Sequence, residues 1–272
     1  MSHHSQIEEH EFTFTGDFHY PLKDKANLCN TTFYMHSIYE HVFNGNVGAP
    51  VHEKLQNGGQ ILVIGVESGI WVTEVASEYP DTQIYAIDAS VPSSDSCENV
   101  TFIEWSVFKK LPFPDSEFDY VFSRDKYSIF AKNDFQENLS EIFRVLKPGG
   151  YSWLMNHNID HNLMVTFENV LQESGKAESI SRNIVNIPIR SDNSFGEFSL
   201  DVYLFYFRSA KDYMAPFMDI SFEEFDTLMN NVESELNAKN SSVVLRHKQV
   251  FARKKNTHSK ETEIKSIVSS DK

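Results

Sequence analysis

Cysteine is scarce in this 272-residue chain: Cys29 and Cys97 are the only two, and no CxxC pair occurs. Two cysteines cannot build a disulfide scaffold, and without a CxxC pair the usual cysteine-based zinc sites are excluded. Basic charge is also in short supply. Lys plus Arg number 24 against 39 Asp plus Glu, a formal net charge of −15 with a pI near 5.1. That balance argues against binding along a nucleic-acid backbone, which needs clustered cations to release counterions. It argues equally against a polybasic membrane-surface protein. No apolar run reaches the roughly 18 residues of a membrane span. The start, MSHHSQIEEHEF, lacks the basic-then-apolar pattern of a signal peptide. A cytoplasmic location, with the nucleus left open, is the expectation. Glycine numbers only 11, so a glycine-rich turn here carries information.

What is present is enough for a core. Hydrophobic residues make up 40% and aromatics 13%, with 22 Phe, which excludes disorder of the whole chain. Residues 1–25 read as a flexible N-terminal tail and 255–272 as a disordered, Ser/Lys/Glu-rich C-terminal tail. No repeat or composition break divides residues 26–254, so one domain is expected there.

Inside that body, short apolar runs alternate with helix-length patterns. QILVIG (60–65) reads as a buried strand closed by glycine. Residues 70–79 follow with apolar positions at helical spacing, ended by Pro80. QIYAID (83–88), VTFIEW (100–105) and FDYVFS (118–123) read as further strands. Residues 133–146 carry Phe135, Leu139, Ile142, Phe143 and Leu146 on one helical face, stopped by LKPGG before a strand at 151–155. This alternation calls for an α/β fold, a doubly wound parallel sheet with helices on both faces. Further on, 163–171 reads as helix, 184–189 as a short strand, 200–218 as an aromatic helix and 243–252 as a last strand. Ser221 with Glu224 three residues on is a capping-box signature for one more helix.

In such a sheet the ligand lies over the carboxyl ends of the strands, beside the first strand. The turn there is Gly65-Val66-Glu67-Ser68-Gly69, in which only the outer two glycines of a G-x-G-x-G loop remain. Asp88, ending the second strand, sits where a carboxylate can accept hydrogen bonds from both hydroxyls of a ribose. Strand, Gly-x-x-x-Gly, helix, strand and Asp together point to a nucleoside. The competing structural reading is a tight turn plus a capping aspartate.

These segments resemble the class I S-adenosylmethionine-dependent methyltransferases, in particular a fungal group of small-molecule-type methyltransferase domains. The resemblance covers about residues 30–254. It rests on NGNVGAPVHEKLQNGGQILVIG, LPFPDSEFDYVFSRD (Leu111 to Asp125), EIFRVLKPGGYSWLM (Glu141 to Met155) and YMAPFMDISFEEFDTLM. The combination of LPFPD-x-x-FD-x-V with R-x-LKPGG is specific for the fold. The resemblance implies a mostly parallel, seven-stranded sheet with extra N-terminal and C-terminal helices. It implies S-adenosyl-L-methionine as cofactor, with Gly65 and Gly69 wrapping its methionine end and Asp88 holding the ribose hydroxyls. Ile87 and Ala89 would wall the adenine, and Trp105 and Ser106 occupy the place of further adenine contacts. Arg124 would lie near cofactor and acceptor, and Trp71 would pack over the loop.

Three cofactor-facing positions depart from the family pattern. Val63 stands where an acidic residue is usual, Glu67 replaces the middle glycine, and Ser106 replaces an acidic or amide residue. A Cβ at Glu67 restricts backbone angles that glycine tolerates, and its carboxylate either intrudes on the cofactor's carboxylate or meets its ammonium. Two readings therefore stay open: methyl transfer to a small-molecule acceptor by in-line SN2 displacement, or a catalytically weakened binding or regulatory module whose cofactor site is weak or lost. A nicotinamide-dependent oxidoreductase shares the Asp88 logic but wants G-x-G-x-x-G and lacks LPFPD and LKPGG. Candidates for a catalytic group are His157 and Arg124, with His161 and His36 as further histidines. The His157-x-x-x-His161 spacing has no third ligand, so no metal site is expected. Tyr203 to Phe207 (YLFYF) reads as core packing rather than an acceptor pocket. Arg246, His247 and Lys248 form a local basic run in an acidic chain. The partners expected are a small-molecule acceptor, no membrane and no nucleic acid, with a protein partner left open.

Overall fold

A computed structural model describes residues 7–13, 31–89, 91, 97–106, 109–124, 132–156, 161–189, 193–238 and 243–256. The strands are β1 (Ile7–Thr13), β2 (Gln60–Ile64), β3 (Gln83–Asp88), β4 (Val100–Glu104), β5 (Phe118–Arg124), β6 (Leu146–Asn156), β7 (Ala177–Pro188) and β8 (Val244–Lys254). The helices are α1 (Thr31–Phe43), α2 (His52–Gln56), α3 (Ile70–Glu78), α4 (Lys132–Val145), α5 (His161–Ser174), α6 (Ser194–Ser209), α7 (Lys211–Phe217) and α8 (Phe222–Leu236). The strands form one sheet in the order β1-β7-β8-β6-β5-β2-β3-β4. Pairing is parallel from β6 through β5, β2 and β3 to β4, and antiparallel between β6 and β8. The α/β architecture with a mostly parallel sheet is as the sequence implies. The eighth strand, beyond the seven expected, is β1, which lies within the stretch read as a tail.

Contacts divide the chain into two compact units. The first is built on Val47–Asn183 with the second half of β8. Its central strands are buried on both faces, so β2 reads as a near-continuous apolar run rather than an alternating one, while β5 is buried throughout and carries Asp119, Ser123 and Arg124 into the interior. One face of the sheet carries Leu62, Ile64, Val121 and Leu154, which pack with Leu139, Ile142 and Phe143 of α4. On the alternate residues an aromatic row crosses the strands. Trp71 of α3 stacks on Phe122 at 3.9 Å, Phe122 meets Trp153 at 5.2 Å, and Trp153 stacks on Phe251 at 5.3 Å.

Arg144, near the end of α4, ties this helix to the loop before β5. Its guanidinium donates to the carbonyls of Phe113 at 2.8 Å and Leu111 at 3.1 Å, and to Asp115 Oδ1 at 2.8 Å. It also grips both carboxylate oxygens of Glu141, at 2.7 and 2.8 Å, while Glu141 Oε2 accepts from the Leu111 N–H at 3.0 Å. The LPFPD segment and the arginine of R-x-LKPGG are thus one hydrogen-bonded clamp. LKPGG itself runs into β6 instead of preceding it, with a register shift opposite Phe118 and Tyr120. Gly149 there has φ +76°, and a Cβ on Gly150 would meet the Asp119 carbonyl at 3.0 Å, so neither position accommodates a side chain without strain.

The second unit is built on Ile184–His247 together with α1. Tyr34 of α1 meets Phe198 of α6 edge-on at 6.0 Å, and Tyr203 Oη bonds the buried His247 Nε2 at 2.6 Å. The helix expected over 200–218 starts earlier, capped by Asn193, and divides at Ala210 into α6 and α7. Of the YLFYF stretch, Tyr203 and Leu204 are buried while Tyr206 is exposed, so core packing holds only for its first half. The capping box of α8 is present as expected. His247 is 2% exposed, so it is a core residue and not part of a basic surface. No helix among the described residues is long and apolar enough to cross a membrane.

Removing the clamp tests its role. Arg144→Leu leaves Glu141 and two carbonyls without their cation, which costs about 3 kcal/mol of stability in urea unfolding. The hydrogen bond from Arg144 holds the Glu141 carboxyl below its ordinary value of 4.5. The stability this pair contributes is therefore complete above that ordinary value and declines as pH falls through the lowered one. Unfolding midpoints compared at neutral and acid pH should show a shallower acid loss in Arg144→Leu than in the unaltered chain.

Candidate functional site

Register decides which residues meet. Ile64, the last residue of β2, is level with Ile87 of β3 on one side and Ser123 of β5 on the other. One residue further along each strand lie Gly65, Asp88 and Arg124, so three strand ends reach the same carboxyl edge of the sheet in one row. This is the edge where parallel α/β sheets hold ligands.

The loop Gly65 to Gly69 is closed by backbone bonds. Gly65 N–H donates to the Ile87 carbonyl at 2.9 Å, and Gly69 N–H to the Val66 carbonyl at 2.9 Å. Gly65 has φ +93° and Gly69 φ +78°, left-handed values that glycine adopts without a Cβ penalty. Gly69 is the N-cap of α3 and offers no side chain, while Thr73 Oγ1 donates back to its carbonyl at 3.0 Å. Glu67 also sits at positive φ, +53°, where a side chain costs roughly 1–2 kcal/mol.

Asp88 ties the second strand to that loop. Its Oδ2 accepts the Val66 N–H at 2.8 Å and its Oδ1 the Ala89 N–H at 2.7 Å. These two backbone amides orient the carboxylate. The Asp88 carbonyl accepts the Trp105 N–H at 2.8 Å, which brings the end of β4 alongside. Trp105 is half-buried against the core, its indole Nε1 donates to the Lys110 carbonyl at 3.2 Å, and Lys109 Nζ stands 5.8 Å from its ring centroid. Ser106 is half-buried beside it and Ala89 is exposed.

Glu67 and Arg124 meet. Arg124 Nη2 donates to Glu67 Oε2 at 2.9 Å, with side-chain exposures of 5% for the arginine and 19% for the glutamate. The charge of the substituted loop residue is thus matched by a cation buried at the next strand end. Beneath it, Ser123 Oγ donates to the Ile64 carbonyl at 3.0 Å, pinning β5 to β2 under the loop. Val63 is buried at 1% exposure.

The structure therefore brings Gly65, Glu67, Gly69, Asp88, Ala89, Trp105, Ser106 and Arg124 to one edge. Ile87 is the exception to the expected adenine wall, because it is 0% exposed within the core. Trp71 packs on Phe122. Of the histidines, His157 lies outside the described residues, His161 is the first residue of α5, and His36 is buried in α1 at 1% exposure. Sequence reasoning named Glu67 and Arg124 separately and missed their pairing, together with the bond from Ser123. The signal that finds both is strand order, since β5 beside β2 sets Arg124 next to the loop.

Residues 61–150 match the model of a family described as a methyltransferase domain. Among curated proteins, the chain is 31% identical over 102 residues to methyltransferase str3 of Strobilurus tenacellus, covering 37% of this chain and 35% of that protein. It is 33% identical over 119 residues to methyltransferase str2 of the same organism, covering 43% of this chain and 41% of that protein. The matches therefore span less than half the length of these curated relatives. Among solved structures, phosphoethanolamine N-methyltransferase 2 of Haemonchus contortus, in complex with S-adenosyl-L-methionine, aligns with a TM-score of 0.44 and 18% identity, over 85% of this chain and 58% of that one.

Strain at Glu67 is open to a direct check. Glu67→Gly and Glu67→Ala remove the same carboxylate, but only the alanine keeps a Cβ at positive φ. Chemical unfolding should find the glycine variant more stable than the alanine variant by about 1 kcal/mol.

Proposed function

We propose that this chain, whose residues 61–150 match the methyltransferase domain model, is an S-adenosylmethionine-dependent methyltransferase acting on a small-molecule acceptor. The observation that carries this reading is Asp88. Its carboxylate stands at the carboxyl end of β3, beside the start of the glycine loop, held by the amides of Val66 and Ala89. A carboxylate there can accept hydrogen bonds from both hydroxyls of a cis-diol, and the left-handed Gly65 lets the backbone approach it closely. Trp105 and Ser106, tied to Asp88 through the Trp105 amide, would border the base.

S-adenosylmethionine supplies a methyl group on a sulfonium, electrophilic enough for in-line displacement by an acceptor. The chain's residues at this edge bind and align; the work required of them is positioning, which can supply much of the rate. Asp88 orients the nucleoside, and the loop fixes the depth at which it sits. The acidic balance of the chain, −15, supports a small acceptor over a nucleic acid.

A second reading is a catalytically weakened binding or regulatory module whose cofactor site is weak or lost. The Glu67–Arg124 pair favours it, because the ion pair sits on the loop itself.

Calorimetric titration with S-adenosylhomocysteine separates the readings. Micromolar binding is expected, and Asp88→Ala should weaken it at least about tenfold, the worth of lost bonds to a charged acceptor. No heat at millimolar ligand overturns the methyltransferase reading, while turnover of the cofactor by the unaltered chain overturns the module.

A further inference from the structure

We propose that the corner between α7 and α8 is a docking surface for a cationic amphipathic segment of a protein partner. The corner belongs to the YMAPFMDISFEEFDTLM stretch, which the strand-edge site leaves without a task, and it lies wholly within the second unit. Within residues 213–222 four large apolar side chains are exposed: Tyr213 at 72%, Phe217 at 77%, Met218 and Phe222. A single exposed apolar residue needs no explanation, but several on one corner do. Tyr213 and Phe217, one turn apart on α7, stack with ring centroids 6.3 Å apart and planes 10° from parallel. Lys211 Nζ stands 5.3 Å from the Phe222 ring.

Backbone bonds and buried contacts fix this corner. Asp219 has φ +56° and ends α7: its N–H donates to the Pro216 carbonyl at 3.2 Å, and the Ile220 N–H to the Ala215 carbonyl at 3.1 Å. That pair of bonds is a Schellman closure, and Ser221, the next residue, starts α8 with its capping box. Ala215, Phe225 and Met229 bury the other side of the two helices. Lys211 to Asp226 at 2.6 Å and Arg208 to Glu233 at 2.7 Å tie α7 and α6 to α8. The rings are therefore displayed on a fixed support, and a partner that covers them has little backbone ordering left to impose.

Charge selects the occupant. Residues 208–238 hold two cations, Arg208 and Lys211, against seven carboxylates, and both cations are already engaged by α8 acids. Asp212, Asp219 and Glu223, interleaved with the apolar residues along the chain, are exposed. An apolar surface in this setting is complementary to a segment whose own apolar stripe is flanked by Lys or Arg. A second copy of the corner would bring like charges together. An anionic lipid surface would repel it, since it lacks the basic residues of an interfacial anchor.

The test uses the full chain and fluorescence anisotropy with three labelled peptides of about 18 residues. One places Leu at helical spacing with Lys elsewhere, one replaces every Lys by Glu, and one scrambles the lysine peptide. The unaltered chain should bind the first with micromolar affinity and the other two at least about tenfold more weakly. Tyr213→Ser/Phe217→Ser should weaken the lysine peptide at least about tenfold. Asp212→Asn/Asp219→Asn/Glu223→Gln should weaken it at least about threefold and flatten its salt dependence. All five positions are exposed, so the thermal midpoint of either variant should stay within about 3 °C of the unaltered chain. No binding of the lysine peptide, undiminished binding by the serine variant, or equal binding of the scrambled peptide overturns the proposal. So does dimerisation in sedimentation that the serine variant abolishes, which assigns the corner to a second copy. Binding to phosphatidylcholine–phosphatidylserine vesicles that the serine variant loses overturns it too, in favour of a membrane. The outcome does not depend on whether S-adenosylhomocysteine binds, because no residue of the corner belongs to the strand edge.

Discussion

The level ends of three neighbouring strands are the constraint on which the site depends. With Ile64 paired to Ile87 and to Ser123, the next residues on the strands are the first glycine of the loop, an aspartate and an arginine. A slip of one residue would turn Asp88 and Arg124 to the opposite face. The buried apolar run of β2 makes such a slip costly, because Leu62 and Ile64 belong to one face of the core. Packing in the body of the sheet thereby sets chemistry at its edge.

The segments most recognisable in the sequence turn out to serve the frame. LPFPD and R-x-LKPGG are joined by Arg144, whose guanidinium reaches two carbonyls and two carboxylates. Of the three positions at which the sequence resemblance breaks down, Val63 and Glu67 are at or under the loop and Ser106 follows β4. Val63 is sealed in the core, and Glu67 brings its own counter-charge in Arg124.

Much of the fold was legible because its signals are local. The strands from QILVIG to FDYVFS, the helices at 70–78 and 132–145, and the capping box at Ser221 each follow from apolar spacing or from a side chain bonding its own backbone nearby. The misreadings came where long-range pairing overrode local pattern. LKPGG joins β6 because Leu146 pairs with Phe118 across the sheet. Residues 7–13 become a strand whose neighbour, β7, is far along the chain. The aromatic stretch after Leu200 divides at Ala210, which no apolar spacing announces.

For the site, the residue types and their order along the chain were sufficient to name Gly65, Gly69 and Asp88, because each answers a requirement of its own turn or strand end. Ile87 could not be told from Ala89 in that way: one is buried in the core and the other is exposed, because β3 ends at Asp88 and Ala89 lies past it. The contact between Glu67 and Arg124 spans 57 positions of sequence. It exists only because β5 lies beside β2, and adjacency of strands is a property of the folded sheet rather than of either segment.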